Sequence, residues 1–467
     1  MRFLKRQAPL EPVGKHVAEH TVIFLSVLKW VVLATGIGIV VGVSTALFLK
    51  TLEFSIGFSG RFNYYFLLLP IGFILSSLFV RYLAPDAEGH GTEKVIEAIH
   101  KYMGKIKFSV VPVKLIATVI TIATGGSAGK EGPCAQIGGG LSSLIADLFR
   151  FDNRDRRKLV ICGISAGFAS VFGTPIAGAI FGVEVLFVGS ILYEVLLPSF
   201  IAGITGYHVA AALGIKYTYV PMNFIPVFSS MFFIKVLLSG LFFGLCAMIL
   251  IEVMNLGKRL SEKLYISYLL KALIGGLVLV GLAFVFSPRY LGLGLETIHA
   301  NLLGAYSSWY AFLVKSVSTS ITLNFGGSGG IVTPIFFVGT AAGSLWAELL
   351  KLNPATFAAI GMVALLAGAA NTPIAASIMA IEFFGPKIAP YATVACVISF
   401  LMTGHRSVYP SQILAVKKSP TVQVELGKEM EEVELKVAPE RSKIIRTMLR
   451  LGKNIRKIFS QKKFGDD

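Results

Sequence analysis

The runs Val22–Leu49 and Phe66–Leu83 are each long enough to cross the roughly 30 Å hydrocarbon core of a bilayer. That limits what the chain can become. Lipid cannot satisfy backbone N–H and C=O groups, so spanning segments are helical and open sheet is excluded. Composition agrees. The 467 residues are 54% hydrophobic and 15% charged, whereas a soluble domain has about 25% charged residues. The chain reads as an all-α polytopic membrane protein.

Two glycine-rich loops interrupt the apolar pattern. Gly125-Gly126-Ser127-Ala128-Gly129-Lys130-Glu131-Gly132-Pro133 is echoed by Gly326-Gly327-Ser328-Gly329-Gly330-Ile331-Val332-Thr333-Pro334, at an offset of 201 residues. Two more stretches repeat in the same order. Gly89-His90-Gly91-Thr92-Glu93 is echoed at Gly292–Glu296, and Thr174-Pro175-Ile176-Ala177 at Thr372–Ala375. Glu184 and Glu382 each follow nine residues after the respective proline. The chain is therefore two homologous halves. Repeats with broken short helices at matching positions mark transporter folds with a site near the midplane. Direction within the halves is not readable from sequence. The expected organisation is an N-terminal arm (1–20), a first repeat (21–215), a second repeat (216–410) and a C-terminal tail (411–467).

Local signals place the elements. A helix is expected from Glu131 to Phe149, and an amphipathic segment too short to span from Lys94 to about Tyr102. Arg150–Lys158 is a charged connection. Two short helices follow it, broken at Gly173-Thr174-Pro175 and ending near Glu184. Residues 190–214 and 231–256 are longer spans around a loop carrying Pro221 and Pro226.

The net charge of +17 lies largely in the termini and short loops, as the positive-inside rule predicts. No recognition motif points to nucleic acid. The basic arm with Arg2, Lys5, Arg6 and Lys15 is expected in the cytoplasm, with no cleavable signal peptide. The reading is a multi-pass plasma-membrane protein with both termini cytoplasmic. Ser442–Phe459 mixes Ile444, Ile445, Met448, Leu449, Ile455 and Ile458 with six basic residues, a pattern that suits a helix on an anionic leaflet or a solvated one. Cys134, Cys162, Cys246 and Cys396 lack metal-like spacing and read as buried inert thiols. Nothing calls for a cofactor or metal.

Each glycine-rich loop opens a helix, and helix N-termini offer free N–H groups and partial positive charge. Together these bind anions without a full cation, loosely enough to release them if several converge. The alternative is that the glycines only permit close helix packing. Ionisable Glu131 sits at the first loop and has no counterpart in the second. An ionised carboxylate at a helix N-terminus would compete with an anion, and protonation would remove it. The plainer alternative is a capping glutamate favoured by the helix dipole. A rival reading from another class is an intramembrane serine hydrolase, because both loops fit G-x-S-x-G. It needs a histidine base near Ser127 or Ser328, for which His90, His208, His299 and His405 are candidates. Duplication of the motif argues instead for a backbone role.

Gly129-Lys130-Glu131-Gly132-Pro133 resembles the G-[RK]-E-G-P signature of the CLC chloride channel and transporter family. Gly330-Ile331-Val332-Thr333-Pro334 resembles its G-x-F-x-P motif, and the Gly173–Gly178 stretch and its repeat are similar to family sequence too. The resemblance spans about residues 20–415. It implies two inverted-topology repeats of broken, tilted helices, a homodimer, and a separate pore in each subunit for chloride or a similar small anion, with protons as a second partner in coupled members. Glu131 would be the gating glutamate. The anion would be held at Gly89, His90, Gly91, Gly129, Gly330, Ile331 and Val332, and by a tyrosine, for which Tyr409 is the nearest candidate.

Four positions depart from the family pattern. His90 replaces the serine of G-S-G-I-P, Glu93 replaces its proline, and Val332 replaces a phenylalanine. Val185 stands where coupled members carry an inner, proton-passing glutamate. A valine cannot carry a proton, which favours a passive, channel-like path, with Glu184 as the candidate for any other proton route. The remaining expectations are a chloride/proton antiporter and a fluoride exporter, the latter disfavoured by Pro133.

Overall fold

Proline and glycine punctuate the chain into helices too short or too broken to be simple spans. The computed structural model describes residues 12–217, 219–220, 229–420, 422–434 and 436–437. The basic arm at Arg2–Arg6, the Pro221 and Pro226 loop and the Ser442–Phe459 segment lie outside the described residues.

The first half contains α1 (Pro12–Ser59), α2 (Leu69–Leu83), α3 (Gly91–Lys101), α4 (Val110–Ala123), α5 (Glu131–Leu148), α6 (Asn153–Phe172), α7 (Pro175–Glu184) and α8 (Tyr193–Ala212). The second half repeats them as α9 (Ser230–Lys263), α10 (Tyr268–Val285), α11 (Leu295–Leu302), α12 (Ala311–Asn324), α13 (Val332–Leu349), α14 (Pro354–Ala370), α15 (Pro373–Phe384) and α16 (Ala389–Met402). Among the described residues six helical stretches are long and apolar enough to span a membrane, including most of α1, α8, α9, α10 and α13. One expectation needs correction. α6 is a full 20-residue helix, because Asp152 caps its start by accepting from the Asp155 N–H at 2.8 Å and no proline follows until Pro175.

Equivalent backbone positions adopt equivalent special conformations. Gly125 and Gly326 have φ of 104° and 99°, a region open to glycine and strained for other residues. Gly173 and Asn371 end α6 and α14 with φ of 74° and 57°, and the Thr-Pro that follows each starts the next short helix.

Contacts across the two halves are reciprocal. The Gly129 N–H donates to the Gly330 carbonyl and the Gly330 N–H to the Gly129 carbonyl, both at 2.7 Å, as an antiparallel bridge. The Ser127 N–H donates to Thr322 Oγ1, and the Ser328 N–H to Thr121 Oγ1, both at 3.0 Å. These partners are related by the same 201-residue offset. Equivalent segments that pair antiparallel run in opposite directions, so the second half is inverted relative to the first.

The same symmetry ties α7 to α15. Glu184, at the end of α7, accepts from the Ile374 and Ala375 N–H groups that open α15, at 3.0 and 2.8 Å. Glu382, near the end of α15, accepts from Ile176 and Ala177 at the start of α7, at 3.0 and 2.9 Å. Each carboxylate thus caps the other helix. Glu184 is buried and Glu382 half-buried. A hydrogen bond to a charged group contributes about 1.5–3 kcal/mol. Glu184→Ala should therefore lower the melting temperature in detergent, and by more than Glu382→Ala does, since its orphaned N–H groups have less access to water.

The inner layer is α5, α6, α13 and α14, almost wholly buried. Glycines permit the closest crossings: a Cβ on Gly138 would overlap the Gly163 carbonyl, and one on Gly339 the Gly361 carbonyl. The segment after α16 is also less free than a polar tail. Strand β1 (Phe187–Val188) pairs in parallel with β2 (Ile413–Leu414), and β3 (Val422–Gln423) pairs antiparallel with β4 (Lys436–Val437). Val188, Leu414, Val424 and Met430 form a small core beside α16.

Candidate anion site

Three helix N-termini meet where the halves join. α3 opens at Gly91, α5 at Glu131 and α13 at Val332. Glycine makes the approach possible. A Cβ on Gly91 would overlap the Gly132 carbonyl, and one on Gly330 would stand 2.6 Å from the Gly132 nitrogen. Three partial positive ends held this close, with little water between, attract negative charge.

Glu131 meets that field. Its side chain is buried and crosses from the start of α5 to the start of α13. Oε2 accepts from the Thr333 N–H at 3.1 Å, and Oε1 accepts from the Thr333 hydroxyl. A carboxylate therefore stands on the α13 N-terminus, bonded as an anion would be. A Cβ on Gly129 would overlap Glu131 Oε2, so glycine there leaves the carboxylate its place.

The other sequence-designated residues divide into two groups. Gly129 and Gly330 spend their N–H groups on each other, so they build the junction and have no amide left for an ion. The Ile331 and Val332 amides, buried at the start of α13, have no acceptor among the described residues. Gly89 and Gly91 belong to the loop that enters α3. The Gly89 carbonyl is held by Lys114, and the Gly91 N–H makes a long 3.4 Å bond to the Gly329 carbonyl.

Tyr409 packs against His90 of the α3 loop. It is fully buried, and its ring centroid lies 5.7 Å from that of His90. The Tyr409 hydroxyl, Thr92 Oγ1 and His90 Nδ1 are all buried without a hydrogen-bond partner. Such groups are rare in a folded interior and mark a place for an ion, water or ligand. Gln412 positions Tyr409 from three residues on. Its amide donates to the Val185 and Ala370 carbonyls at 2.7 and 2.8 Å and accepts from Ser407 Oγ at 2.6 Å. The expected boundary between the second repeat and the tail, at 410/411, cuts through this network.

Glu184 is not directed at the site: both carboxylate oxygens cap α15. The serines of the two G-x-S-x-G loops bond threonines. Ser127 Oγ lies 2.9 Å from Thr319 Oγ1, and Ser328 Oγ 3.3 Å from Thr118 Oγ1. Neither bonds a histidine, so the arrangement a serine hydrolase needs is absent among the described residues.

Sequence reasoning missed two lysines. Lys114 is buried and donates to the Ala87 and Gly89 carbonyls at 3.1 and 2.5 Å. Lys315, its equivalent, donates to the Tyr290 and Gly292 carbonyls at 3.2 and 2.8 Å and lies 5.2 Å from the Phe337 ring centroid. Neither has a carboxylate within ion-pair distance among the described residues. Both were visible as cations inside apolar segments, recurring at the offset of the repeat.

Known proteins share this architecture. Residues 71–404 match the family described as voltage gated chloride channel. The chain is 35% identical over 396 residues to a chloride/fluoride channel protein of Pseudomonas syringae pv. tomato, covering 83% of this chain and 86% of that one. It is 27% identical over 350 residues to the H(+)/Cl(-) exchange transporter ClcA of Klebsiella pneumoniae subsp. pneumoniae, covering 68% and 72%. A crystal structure of a CLC-type fluoride/proton antiporter superposes with a TM-score of 0.79 at 28% identity, over 83% of this chain and 98% of that one. With the family matched across most of the chain and the inverted repeat in place, this protein belongs to the CLC family of voltage gated chloride channels.

Proposed function

We propose that the chain carries a small monovalent anion, chloride or fluoride, across the membrane along a path that Glu131 opens and closes. The observation that carries this reading is the Glu131 carboxylate bonded to the Thr333 N–H and hydroxyl at the α13 N-terminus. There it holds a place that would otherwise suit an anion. The free Ile331 and Val332 amides and the Tyr409 hydroxyl are the ligands offered next to it. Protonation weakens the carboxylate's hold on N–H donors, since charge-assisted hydrogen bonds are about twice as strong as neutral ones.

Val185 and the capping role of Glu184 favour passive, channel-like passage. A second reading, exchange of the anion for protons, is favoured by a second carboxylate, Glu93, anchored to Ser411 beyond Tyr409. Similarity to a chloride/proton exchange transporter and to a CLC-type fluoride/proton antiporter supports it. The family resemblance also supports a homodimer with one path per subunit, in the plasma membrane with both termini cytoplasmic.

Reversal potentials of the reconstituted protein decide between the two readings. Under passive conduction the potential follows the anion gradient and ignores a pH gradient. Under exchange it moves with both. A potential that follows neither would reject anion transport itself. Repeating the series in fluoride and in chloride identifies the preferred ion.

A further inference from the structure

Tyr409 stands near two carboxylates. Its hydroxyl faces Thr92 and is within electrostatic reach of both Glu131 and Glu93. Glu131 belongs to α5 and is engaged with α13. Glu93 lies in the first turn of α3 and is anchored to the segment after α16. Its Oε1 accepts from the Ser411 N–H at 3.0 Å and from the Ser411 hydroxyl at 2.6 Å. Its Oε2 is buried and has no partner, although the residue keeps some exposed surface.

A carboxylate bonded twice through one oxygen and bare at the other suits a proton carrier. When charged it is held by Ser411. When neutral it has a proton on an oxygen that nothing else claims. The charged groups around it are Lys94 and Glu97 on α3 itself. Lys114 of α4 and Lys258 of α9 act on the adjacent His90, and Glu131 of α5 lies beyond Tyr409. None of them forms an ion pair with Glu93 among the described residues.

Its position is the second observation. Ser411 precedes Gln412, whose amide donates to the Val185 carbonyl at 2.7 Å. Glu93 is therefore anchored next to the backbone of Val185, where the family resemblance places an inner proton-passing glutamate that this chain lacks. The carboxylate missing at 185 has a neighbour supplied by α3.

We propose that Glu93 is the inner proton carrier of this chain. It takes a proton from the side of the C-terminal segment and passes it across the Tyr409 pocket to Glu131. The step is a proton transfer only. An O–H bond of Glu93 breaks, an O–H bond of Glu131 forms, and Glu93 is left as the carboxylate held by Ser411. The Thr92 and Tyr409 hydroxyls between them can each accept one proton and release another. The proposal rests on the exchange reading above.

The test uses the full chain in liposomes and records anion flux and anion-driven proton uptake together. Glu93→Gln keeps an oxygen that can accept from Ser411 but cannot carry a proton to Glu131. The expected result is a ratio of proton uptake to anion flux that falls about tenfold or more, an effect of about 1.4 kcal/mol, while Glu93→Asp recovers most of it. An unchanged ratio in Glu93→Gln overturns the proposal. So does a Glu93→Asp protein that passes anions and no protons. If the unmodified protein passes anions without protons, the exchange reading itself fails, an outcome distinct from both. If Glu93→Gln does not fold, Glu93→Asp alone decides.

Discussion

Replacing Glu131 by glutamine is expected to leave anion flux in place and to remove its dependence on pH. In the native protein the carboxylate holds the Thr333 N–H and hydroxyl, and on the proposed function an anion would have to displace it. Each bond to a charged acceptor contributes about 1.5–3 kcal/mol. Acid neutralises the competitor, so native flux should rise as pH falls. Glutamine is a permanent neutral substitute of the same size. It accepts from Thr333 more weakly, and a loss of about 1.4 kcal/mol in its hold corresponds to a tenfold gain for the anion. Flux in Glu131→Gln at neutral pH should therefore exceed the native value by about tenfold and stay level as the buffer is acidified, as measured by anion efflux from liposomes. Glu131→Gln that folds, by its melting curve, and passes no anion would contradict the gating role.

Lys114→Met should lower anion flux strongly, and Lys315→Met much less. Methionine fills a similar volume, so packing is largely kept. What is lost is the donor to the Ala87 and Gly89 carbonyls and a positive charge beside the loop that carries His90. Two orphaned buried carbonyls cost about 1–3 kcal/mol each, enough to let the loop drift from the α3 N-terminus. Lys315 holds the equivalent Gly292 loop. That loop enters α11, whereas the contact with Tyr409 is made by His90 of the α3 loop. Both variants should melt earlier in detergent, but only Lys114→Met should reduce flux by about tenfold or more. Equal losses of flux would mean that the lysines serve only the fold.

Much of the architecture was legible because breakers and charges stand out in an apolar sequence. The recurrence of Gly125–Pro133 at Gly326–Pro334 revealed the two halves, and Glu131 was conspicuous as a carboxylate among small apolar residues. The inversion was not legible. It depends on Gly129 pairing with Gly330, a contact between segments far apart in the chain. The same limit explains Glu184. Its place after a Thr-Pro helix was visible, but the N–H groups it caps belong to the other half. It also explains why Gly129 and Gly330 could be taken for ion ligands, since only the junction uses up their amides. Lys114 and Lys315 obeyed the repeat and still went unremarked, because a lone cation in an apolar helix does not announce which carbonyls it holds. Leu414, Val424 and Met430 are far from Val188 in the chain, and their shared core with it appears only once β2 pairs with β1.

On the proposed function, Glu131 and the transported anion compete for one helix N-terminus. Isothermal titration of the purified protein with chloride or fluoride, at several pH values, tests it directly. Native affinity should rise as pH falls, and Glu131→Gln should bind more tightly than the native protein at neutral pH, with little further change on acidification. The same pH dependence in both proteins would contradict it.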